Sequence, residues 1–341
     1  MTRQIVAWPI LCLGFLALLL AYSCRGLSAL SAGLGPLALK ASVAGLLLLV
    51  FGFLLLPAQK RRRRLILGLL LSLLLAWVAL NVLLFVYEDR LLFRPRTLGE
   101  DRLARVAAEF STAQELYLPG SNGTTLHGWL VPGVLRQAPL IIAFPGQGGE
   151  ASRYLKLSRQ IPEFSWAFFN YRGYGLSSGT PSEQGLFKDA AALYDGLLAM
   201  GYGKPGAVFA LGGSLGCGVA TYLAAQRPLR GVVLFSPYDK IGGGVAQDLL
   251  PLAATGPILR NKFDVLEFAG QATMPALALV GTEDRVILPG RSEQLLAHWG
   301  GAASIHRLRG DHYSIYELGE SWQAIRSFLF GLLQAEEIIA D

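Results

Sequence analysis

The chain has 341 residues, of which 52% are hydrophobic and only 16% are charged, and its formal net charge is +6. Soluble domains carry about 25% charged residues, so part of this chain is expected to avoid water. The apolar content excludes an intrinsically disordered protein, and three cysteines are too few for a disulfide-stapled scaffold. Nine basic and two acidic residues fall within 1–90, so the remainder of the chain is close to neutral.

The first part of the chain contains three uncharged, leucine-rich runs, at residues 5–22, 41–57 and 65–87. Each run approaches the roughly 20 residues that a helix needs to cross about 30 Å of hydrocarbon. The sequence therefore predicts a membrane domain over 1–90 with about three transmembrane helices. A cleaved or lipidated signal peptide is the alternative for the first run, because Arg3 precedes it and Cys24 follows it.

A basic cluster, Lys60 with the four arginines at 61–64, lies between the second and third runs. Such a cluster in a short loop favours the cytoplasmic side of a membrane. A multi-pass protein is therefore expected, with everything after Tyr87 on the extracytoplasmic side. Nucleic acid is not an expected partner, because no aromatic residues interleave with the cluster and the rest of the chain has no basic surplus.

Residues 91–114 are predicted to form a juxtamembrane linker, and residues 115–335 a domain of alternating strands and helices. The first two strands flank turn residues and predict a hairpin. The later strands are short and almost wholly apolar, which is typical of a parallel sheet buried on both faces. The predicted strands are 115–118, 125–131, 139–144, 166–169, 207–211, 231–235, 276–280 and 304–308.

Segments with helical periodicity separate these strands. Repeated strand–helix–strand units imply right-handed crossovers and a doubly wound, mostly parallel sheet. Residues 238–272 separate two core strands, and we expect them to form a small cap with a high apolar content. The predicted helices are 150–160, 183–200, 215–226, 290–298 and 315–333.

Gly212, Ser214 and Gly216 form a G-x-S-x-G motif between a buried strand and a helix rich in small residues. A nucleophilic serine in this position occupies a sharp strand-to-helix turn, where the flanking positions must lack colliding side chains. Ser214 is therefore the predicted nucleophile. Cys217 is the rival, but it falls inside the helix and is better explained as a buried thiol.

A serine nucleophile needs a histidine base and an acid. Of the four histidines, only His312 follows the last predicted strand in a loop, which is the position of the base in the serine, acid, histidine order of this architecture. Asp284, after strand 276–280, is the predicted acid that orients the imidazole. Glu283 and Asp239 are the alternatives for the acid.

An oxyanion hole requires two backbone N–H groups. Leu215, directly after the nucleophile, is predicted to supply one, and Gln147, in the glycine-rich loop after strand 139–144, the other. The same loop could be interpreted as a phosphate cradle. It lacks the lysine and the spacing of a P-loop and contains no G-x-G-x-x-G, so a nucleotide is not an expected partner.

The motifs together resemble the BEM46-like branch of the α/β-hydrolases, which includes membrane-associated serine hydrolases of the ABHD type. The resemblance covers roughly residues 91–333 and implies a Ser214, Asp284, His312 triad. Pro145 departs from the pattern, because the family usually has histidine there. The matching motifs are NGTTLHGWLVP (122–132), PGQGG (145–149), NYRGYGLSSGTP (170–181), GGSLG (212–216), GTED (281–284) and DH (311–312).

These observations predict an α/β-hydrolase fold preceded by transmembrane helices, and a membrane-anchored serine hydrolase. The expected substrates are carboxylic esters or thioesters of acyl or lipid-like groups, cleaved through an acyl-serine intermediate. The expected partners are this substrate and the lipid bilayer, with no cofactor and no metal. A catalytically silent binding or scaffold protein of the same fold is the alternative, and a transporter is disfavoured because the apolar runs contain few polar residues.

Overall fold

The structure, a computed structural model, describes residues 61–135 and 137–340. Two of the predicted spans, 5–22 and 41–57, lie outside the described residues. The chain divides into two compact units. The first unit comprises the residues up to Tyr87 together with Leu250–Arg260, and the second comprises Glu88–Leu249 and the residues from Asn261 onward.

A long apolar helix, α1, runs over Arg61–Leu92 and includes the predicted third span. Its part Ile66–Leu92 has 27 residues and a mean hydropathy of 2.7 in its most apolar window, of which only 11% is buried in the protein. By length and composition this is the one helix among the described residues that could cross a membrane.

The second unit is built on an eight-stranded sheet in the order β1-β2-β4-β3-β5-β6-β7-β8. Strands β1 and β2 form the predicted antiparallel hairpin, β2 pairs antiparallel with β4, and all remaining pairs are parallel. The strands are β1 Gln114–Pro119, β2 Thr125–Val131, β3 Leu140–Phe144, β4 Ser165–Phe169, β5 Val208–Gly213, β6 Gly231–Phe235, β7 Ala276–Gly281 and β8 Ala303–Leu308.

Helices cover the sheet and bury its central strands, so that every residue of β3, β5, β6 and β7 is buried. This confirms the expectation of a mostly parallel sheet covered on both faces. The helices after α1 are α2 Glu100–Glu109, α3 Glu183–Ala199, α4 Leu215–Gln226, α5 Ala246–Leu249, α6 Thr255–Ile258, α7 Leu266–Ala269, α8 Pro289–Ala297 and α9 Gly319–Ala340.

The parallel register brings the ends of several strands to one edge of the sheet. Phe144 of β3 lies opposite Gly212 of β5, and Gly281 of β7 lies opposite Leu308 of β8. Because ligands of open α/β sheets bind outside the carboxyl ends of the strands, the loops that leave these residues are the place for a site.

The predicted helix at 150–160 is absent, and two short 3₁₀ turns, Ala151–Arg153 and Leu155–Gln160, replace it. Backbone N–H groups of the segment donate three residues back, from Tyr154 to the Ala151 carbonyl at 3.0 Å and from Leu157 to the Tyr154 carbonyl at 2.8 Å. This is the hydrogen-bond pattern of a 3₁₀ helix, which apolar periodicity alone does not distinguish from an α-helix.

The segment 91–114, predicted as a linker, contains helix α2 and contributes to the core of the second unit. Phe93 is fully buried, and Val106 and Phe110 pack within the main hydrophobic cluster. The segment 238–272, predicted as a cap, contains three four-residue helices, α5 to α7, and its central part Leu250–Arg260 belongs to the first unit.

Candidate active site

Ser214 lies between β5 and α4 in a strained backbone conformation, with φ 51° and ψ −118°. A positive φ is costly for a residue with a side chain and persists only where the surroundings enforce it. Here the backbone N–H of Ser214 donates to the carbonyl of Phe235 at 2.9 Å. This is the sharp strand-to-helix turn that exposes a nucleophilic hydroxyl above a sheet.

The two glycines of the motif are required by close backbone approach. A Cβ added at Gly212 would lie 2.6 Å from the carbonyl oxygen of Gly216, and one added at Gly216 would lie 2.0 Å from that of Phe144. Real Cβ atoms do not approach this closely. The turn therefore excludes side chains two residues before and two residues after Ser214.

His312 occupies the loop after β8 and is brought to Ser214. Its Nε2 lies 3.0 Å from the Ser214 Oγ, and its Nδ1 lies 2.8 Å from Oδ2 of Asp284. Asp311 shapes the loop, because its Oδ1 accepts from the backbone N–H groups of Tyr313 and Ser314 at 2.9 and 2.8 Å. Since His312 is only 5% exposed, its ring is held between the two partners.

Asp284 follows β7 and is 3% exposed. Oδ1 accepts the backbone N–H groups of Val286 and Ile287, each at 2.9 Å, while Oδ2 faces His312. Burial alone would raise the pKa of Asp284, but the hydrogen bonds from His312 and Ile287 outweigh it and hold the pKa below its usual value. The carboxylate is thus ionised at neutral pH and suited to orient and stabilise a protonated imidazole.

Ser236 is a member of this hydrogen-bonded group that the sequence did not reveal. Its Oγ donates to Oδ2 of Asp284 at 2.8 Å, the same oxygen that faces His312, and the residue is 1% exposed. Ser236 has a positive φ of 47°. The only signal in the sequence is a serine before Pro237 at the end of an apolar strand.

Replacement of Ser236 by alanine is expected to lower kcat about 10-fold with little change in KM, because one hydrogen bond to a charged acid is lost. Glycine at the same position provides a matched control. It also lacks the hydroxyl but accepts a positive φ without strain, so thermal stability should be recovered while turnover stays low. Steady-state kinetics and thermal unfolding of both variants measure this. Equal turnover of wild type and both variants would exclude a role for the hydroxyl.

The two predicted oxyanion donors lie in the expected elements. Leu215 is the first residue of α4, and Gln147 belongs to the loop after β3. This loop abuts the nucleophile, since a Cβ added at Gly146 would lie 3.3 Å from the Cβ of Ser214. Within the part of the chain that the structure describes, neither the Gln147 nor the Leu215 backbone N–H has a hydrogen-bond partner.

The loop after β3, which is predicted to supply an oxyanion donor, is held by other segments of the chain. The Tyr171 hydroxyl donates to the carbonyl of Pro145 at 2.8 Å, and burial raises the pKa of Tyr171 well above its usual value, so the hydroxyl remains a donor. The Gly148 N–H donates to the carbonyl of Phe93 at 3.0 Å, and the side-chain amide of Gln147 donates to the carbonyl of Leu91.

The alternative nucleophile and acids have other partners. Cys217 is fully buried, and burial raises the pKa of its thiol well above the ordinary value, which disfavours the thiolate. Glu283 lies 3.4 Å from Arg309, and Asp239 lies 3.0 Å from Arg291. Neither alternative acid faces His312.

The other three histidines bind elsewhere. Nε2 of His127 is 2.9 Å from Glu115, Nδ1 of His298 is 2.8 Å from the Gln294 carbonyl, and Nε2 of His306 is 3.3 Å from Glu320. Among residues 61–135 and 137–340, no group of three or more His, Cys, Asp and Glu side chains is placed to hold a metal ion. The expectation that no metal or cofactor is needed stays a prediction.

The arrangement defines a Ser–His–Asp hydrogen-bonded chain at the carboxyl edge of a mostly parallel sheet, with open backbone donors beside it. Comparison with known proteins supports a hydrolase. The family model described as "Serine aminopeptidase, S33" (Hydrolase_4) matches residues 136–261, which is less than half of the chain and includes Ser214 but not Asp284 or His312.

Several relatives match part of the chain. The uncharacterized protein Rv2307c of Mycobacterium tuberculosis is 29% identical over 65% of this chain and 79% of its own length. The alpha/beta hydrolase domain-containing protein WAV2 of Arabidopsis thaliana is 27% identical over 64% of this chain and 78% of its own. The lysophosphatidylserine lipase ABHD12 of Rattus norvegicus is 31% identical, but over only 33% of this chain and 30% of its own.

Solved structures agree in fold. An alpha-beta hydrolase from Vibrio vulnificus superposes with a TM-score of 0.57 at 21% identity, covering 73% of this chain and 91% of that one. The Pyrococcus furiosus esterase Pf2001 gives a TM-score of 0.55 at 15% identity, covering 70% and 97%. The protein therefore has the α/β-hydrolase fold, and the sequence matches support an α/β-hydrolase family.

Proposed function

We propose that this protein is a membrane-anchored serine hydrolase of the BEM46-like branch that cleaves carboxylic esters or thioesters. The observation that carries the proposal is the unbroken hydrogen-bonded chain from the Ser214 Oγ through His312 to Asp284, at 3.0 and 2.8 Å. A serine on a strained turn, a base within reach and an ionised acid behind the base are the parts of an acyl-transfer site.

In the proposed reaction His312 Nε2 removes the Ser214 proton while Oγ attacks the acyl carbonyl carbon. The backbone N–H groups of Gln147 and Leu215 stabilise the negative charge on the tetrahedral oxygen. When the intermediate collapses, the bond to the alcohol or thiol breaks and His312 donates the proton to that leaving group. Water then gives a proton to His312 and attacks the acyl carbonyl, the bond to Ser214 Oγ breaks, and His312 returns the proton to Oγ as the carboxylic acid leaves. Asp284 stabilises the imidazolium in both halves.

A lipid-like acyl substrate is favoured by two observations. The rat relative carries the name of a lysophosphatidylserine lipase. Helix α1 is apolar enough to hold the protein in a bilayer, where such substrates reside.

Membrane anchoring and orientation complete the proposal. The Ile66–Leu92 part of α1 supplies one span, and the leucine-rich runs 5–22 and 41–57 supply two more. The basic cluster at 60–64 precedes the span, and a cluster of this kind favours the cytoplasmic side. The hydrolase unit then lies on the extracytoplasmic side.

The experiment that tests the proposal is active-site labelling of the full-length protein with a fluorophosphonate, followed by mass-spectrometric mapping of the modified peptide. We expect one modified residue, Ser214, and turnover of p-nitrophenyl esters and an acyl thioester in the same preparation. An aminoacyl p-nitroanilide tests the peptidase activity that the family model's description names. No labelling, together with no ester turnover, would favour the silent scaffold instead.

The acyl preference tests the lipid-like substrate separately. Octanoyl esters should be cleaved with a higher kcat/KM than acetyl esters in the same labelling-competent preparation. The opposite preference would count against a greasy acyl group without affecting the serine mechanism.

A further inference from the structure

The segment between β6 and β7 contains an apolar stretch that forms one compact unit with part of helix α1. We call Leu250–Arg260 the insert loop; it forms one compact unit with the residues up to Tyr87. Residues 249–259 carry no charge. The loop begins and ends on residues of the hydrolase unit, so it is a part of the hydrolase chain that contacts α1.

Polar groups of α1 hold the insert loop in place. The indole N–H of Trp77 donates to the carbonyl of Leu252 at 2.8 Å, and the amide oxygen of Asn81 accepts the N–H of Ala254 at 3.0 Å. The guanidinium of Arg260 lies 5.3 Å from the ring centroid of Phe85. Positions 77, 81 and 85 are one helical turn apart, so the contacts follow one face of α1.

The position of these contacts along α1 determines how deep they lie in a bilayer that α1 crosses. The apolar part Ile66–Leu92 is about 40 Å long, whereas roughly 20 residues cross the hydrocarbon core. Every run of about 20 residues inside Ile66–Leu92 contains residues 73–85. When α1 spans a bilayer, Trp77 and Asn81 therefore lie within its hydrocarbon region, and so does the backbone that they bind.

Several backbone groups of the insert loop are satisfied by protein groups, as lipid demands. Unpaired N–H and C=O groups are too costly within hydrocarbon, so irregular backbone occurs there only where protein groups satisfy it. Besides the bonds to Trp77 and Asn81, the loop closes its own turns, from Ala253 N–H to Leu250 C=O at 3.0 Å and from Ile258 N–H to Ala254 C=O at 3.2 Å. Asn81, a polar residue in an apolar helix, thus has a structural task.

Two leucines of the insert loop, Leu250 and Leu252, face outward, whereas Leu259 is buried. Leu252 is 79% exposed and Leu250 is 38% exposed, next to a helix whose apolar window is almost entirely uncovered. A continuous apolar surface made by α1 and the loop suits acyl chains rather than water.

We propose that the insert loop is embedded in the hydrocarbon of the bilayer, with lipid acyl chains against Leu250 and Leu252. The proposal rests on the membrane anchoring proposed above and names the source of the substrate. A hydrolase that places part of its own chain within the acyl region is built to take esters that reside in the bilayer.

Depth-dependent quenching tests the loop directly. Leu252→Cys and, as a matched exposed control on the hydrolase unit, Val134→Cys are made in full-length protein carrying Cys12→Ser and Cys24→Ser, while the fully buried Cys217 is retained. Each variant carries an environment-sensitive fluorophore in phosphatidylcholine vesicles whose acyl chains bear nitroxides. We expect several-fold stronger quenching at position 252 than at position 134. Equal, weak quenching at both positions overturns the proposal.

A functional comparison tests the consequence. Leu252→Asp should lower the hydrolysis of a long-chain ester embedded in vesicles about 10-fold or more, because a charge in hydrocarbon is costly. The same variant should cleave a water-soluble acetate ester and react with fluorophosphonate as the wild type does, and Val134→Asp should match the wild type in all assays. Equal losses on both substrates overturn the proposal. A wild type that is inert to the probe would instead contradict the hydrolase function, and the quenching result would still decide the depth of the loop.

Discussion

Replacement of Ser214 by alanine is expected to lower kcat for ester hydrolysis by about 10⁴-fold or more with KM little changed. Alanine offers no oxygen to form the acyl intermediate, and only binding and the oxyanion donors then remain to accelerate attack by water. The backbone should tolerate the change, because serine and alanine bear a similar penalty at φ 51°. Kinetics with p-nitrophenyl butyrate on matched amounts of detergent-solubilised protein measure the loss.

Two controls make this result specific. Ser304→Ala removes an exposed hydroxyl on β8 and should leave kcat unchanged. Cys217→Ala removes the rival nucleophile, which is buried, and should retain turnover within a few fold. If the Ser214 variant kept more than a hundredth of the wild-type activity, or if the Cys217 variant lost it, the nucleophile would be misassigned.

The second large effect is on stability. Gly216→Ala is expected to destabilise the protein by about 2–3 kcal/mol, because the new Cβ would lie 2.0 Å from the carbonyl oxygen of Phe144 and 2.7 Å from that of Pro145. Both neighbours are backbone atoms, so α4 or the oxyanion loop must move. The Tm should fall by roughly 5–10 °C, and ester turnover should fall with it, since the same atoms position Ser214 and Gln147.

Gly331→Ala is the matched control for this substitution. It lies in α9 with nothing within 4 Å of an added Cβ, and alanine in a helix interior is favoured by roughly 0.5–1 kcal/mol. Thermal unfolding monitored by fluorescence should therefore give a Tm below that of the wild type for Gly216→Ala and a Tm above it for Gly331→Ala. A Gly216→Ala protein as stable as the wild type would mean that the strand-to-helix turn at Ser214 can accommodate a Cβ at Gly216.

Local patterns in the sequence predicted most of the sheet and the candidate site. An apolar run followed by G-x-S-x-G fixes both a strand and the turn after it, because the steric demand on Gly212 and Gly216 is met by near neighbours. His312 was predicted from chain order alone. The structure places it 3.0 Å from Ser214, although its catalytic role stays a prediction.

Features that depend on contacts between distant segments could not be predicted. Ser236 reaches Asp284 only because β6 and β7 are neighbours in the sheet, which the sequence does not state. Where a helix was predicted at 150–160 the chain forms two 3₁₀ turns, which apolar periodicity did not distinguish from an α-helix. The segment 91–114 was predicted as a linker from the change of composition after Leu91, and this did not reveal α2, whose Val106 is buried.

The bonds that hold the oxyanion loop determine how far the chain can be shortened from its α1 side. Gln147 and Gly148 donate to the carbonyls of Leu91 and Phe93, the last turn of α1 and the residue beyond it. A chain shortened to begin at β1 would contain the whole sheet and the triad but would lack these two acceptors. The loop that carries Gln147 therefore depends on the end of α1, and the shortened chain should lose ester turnover.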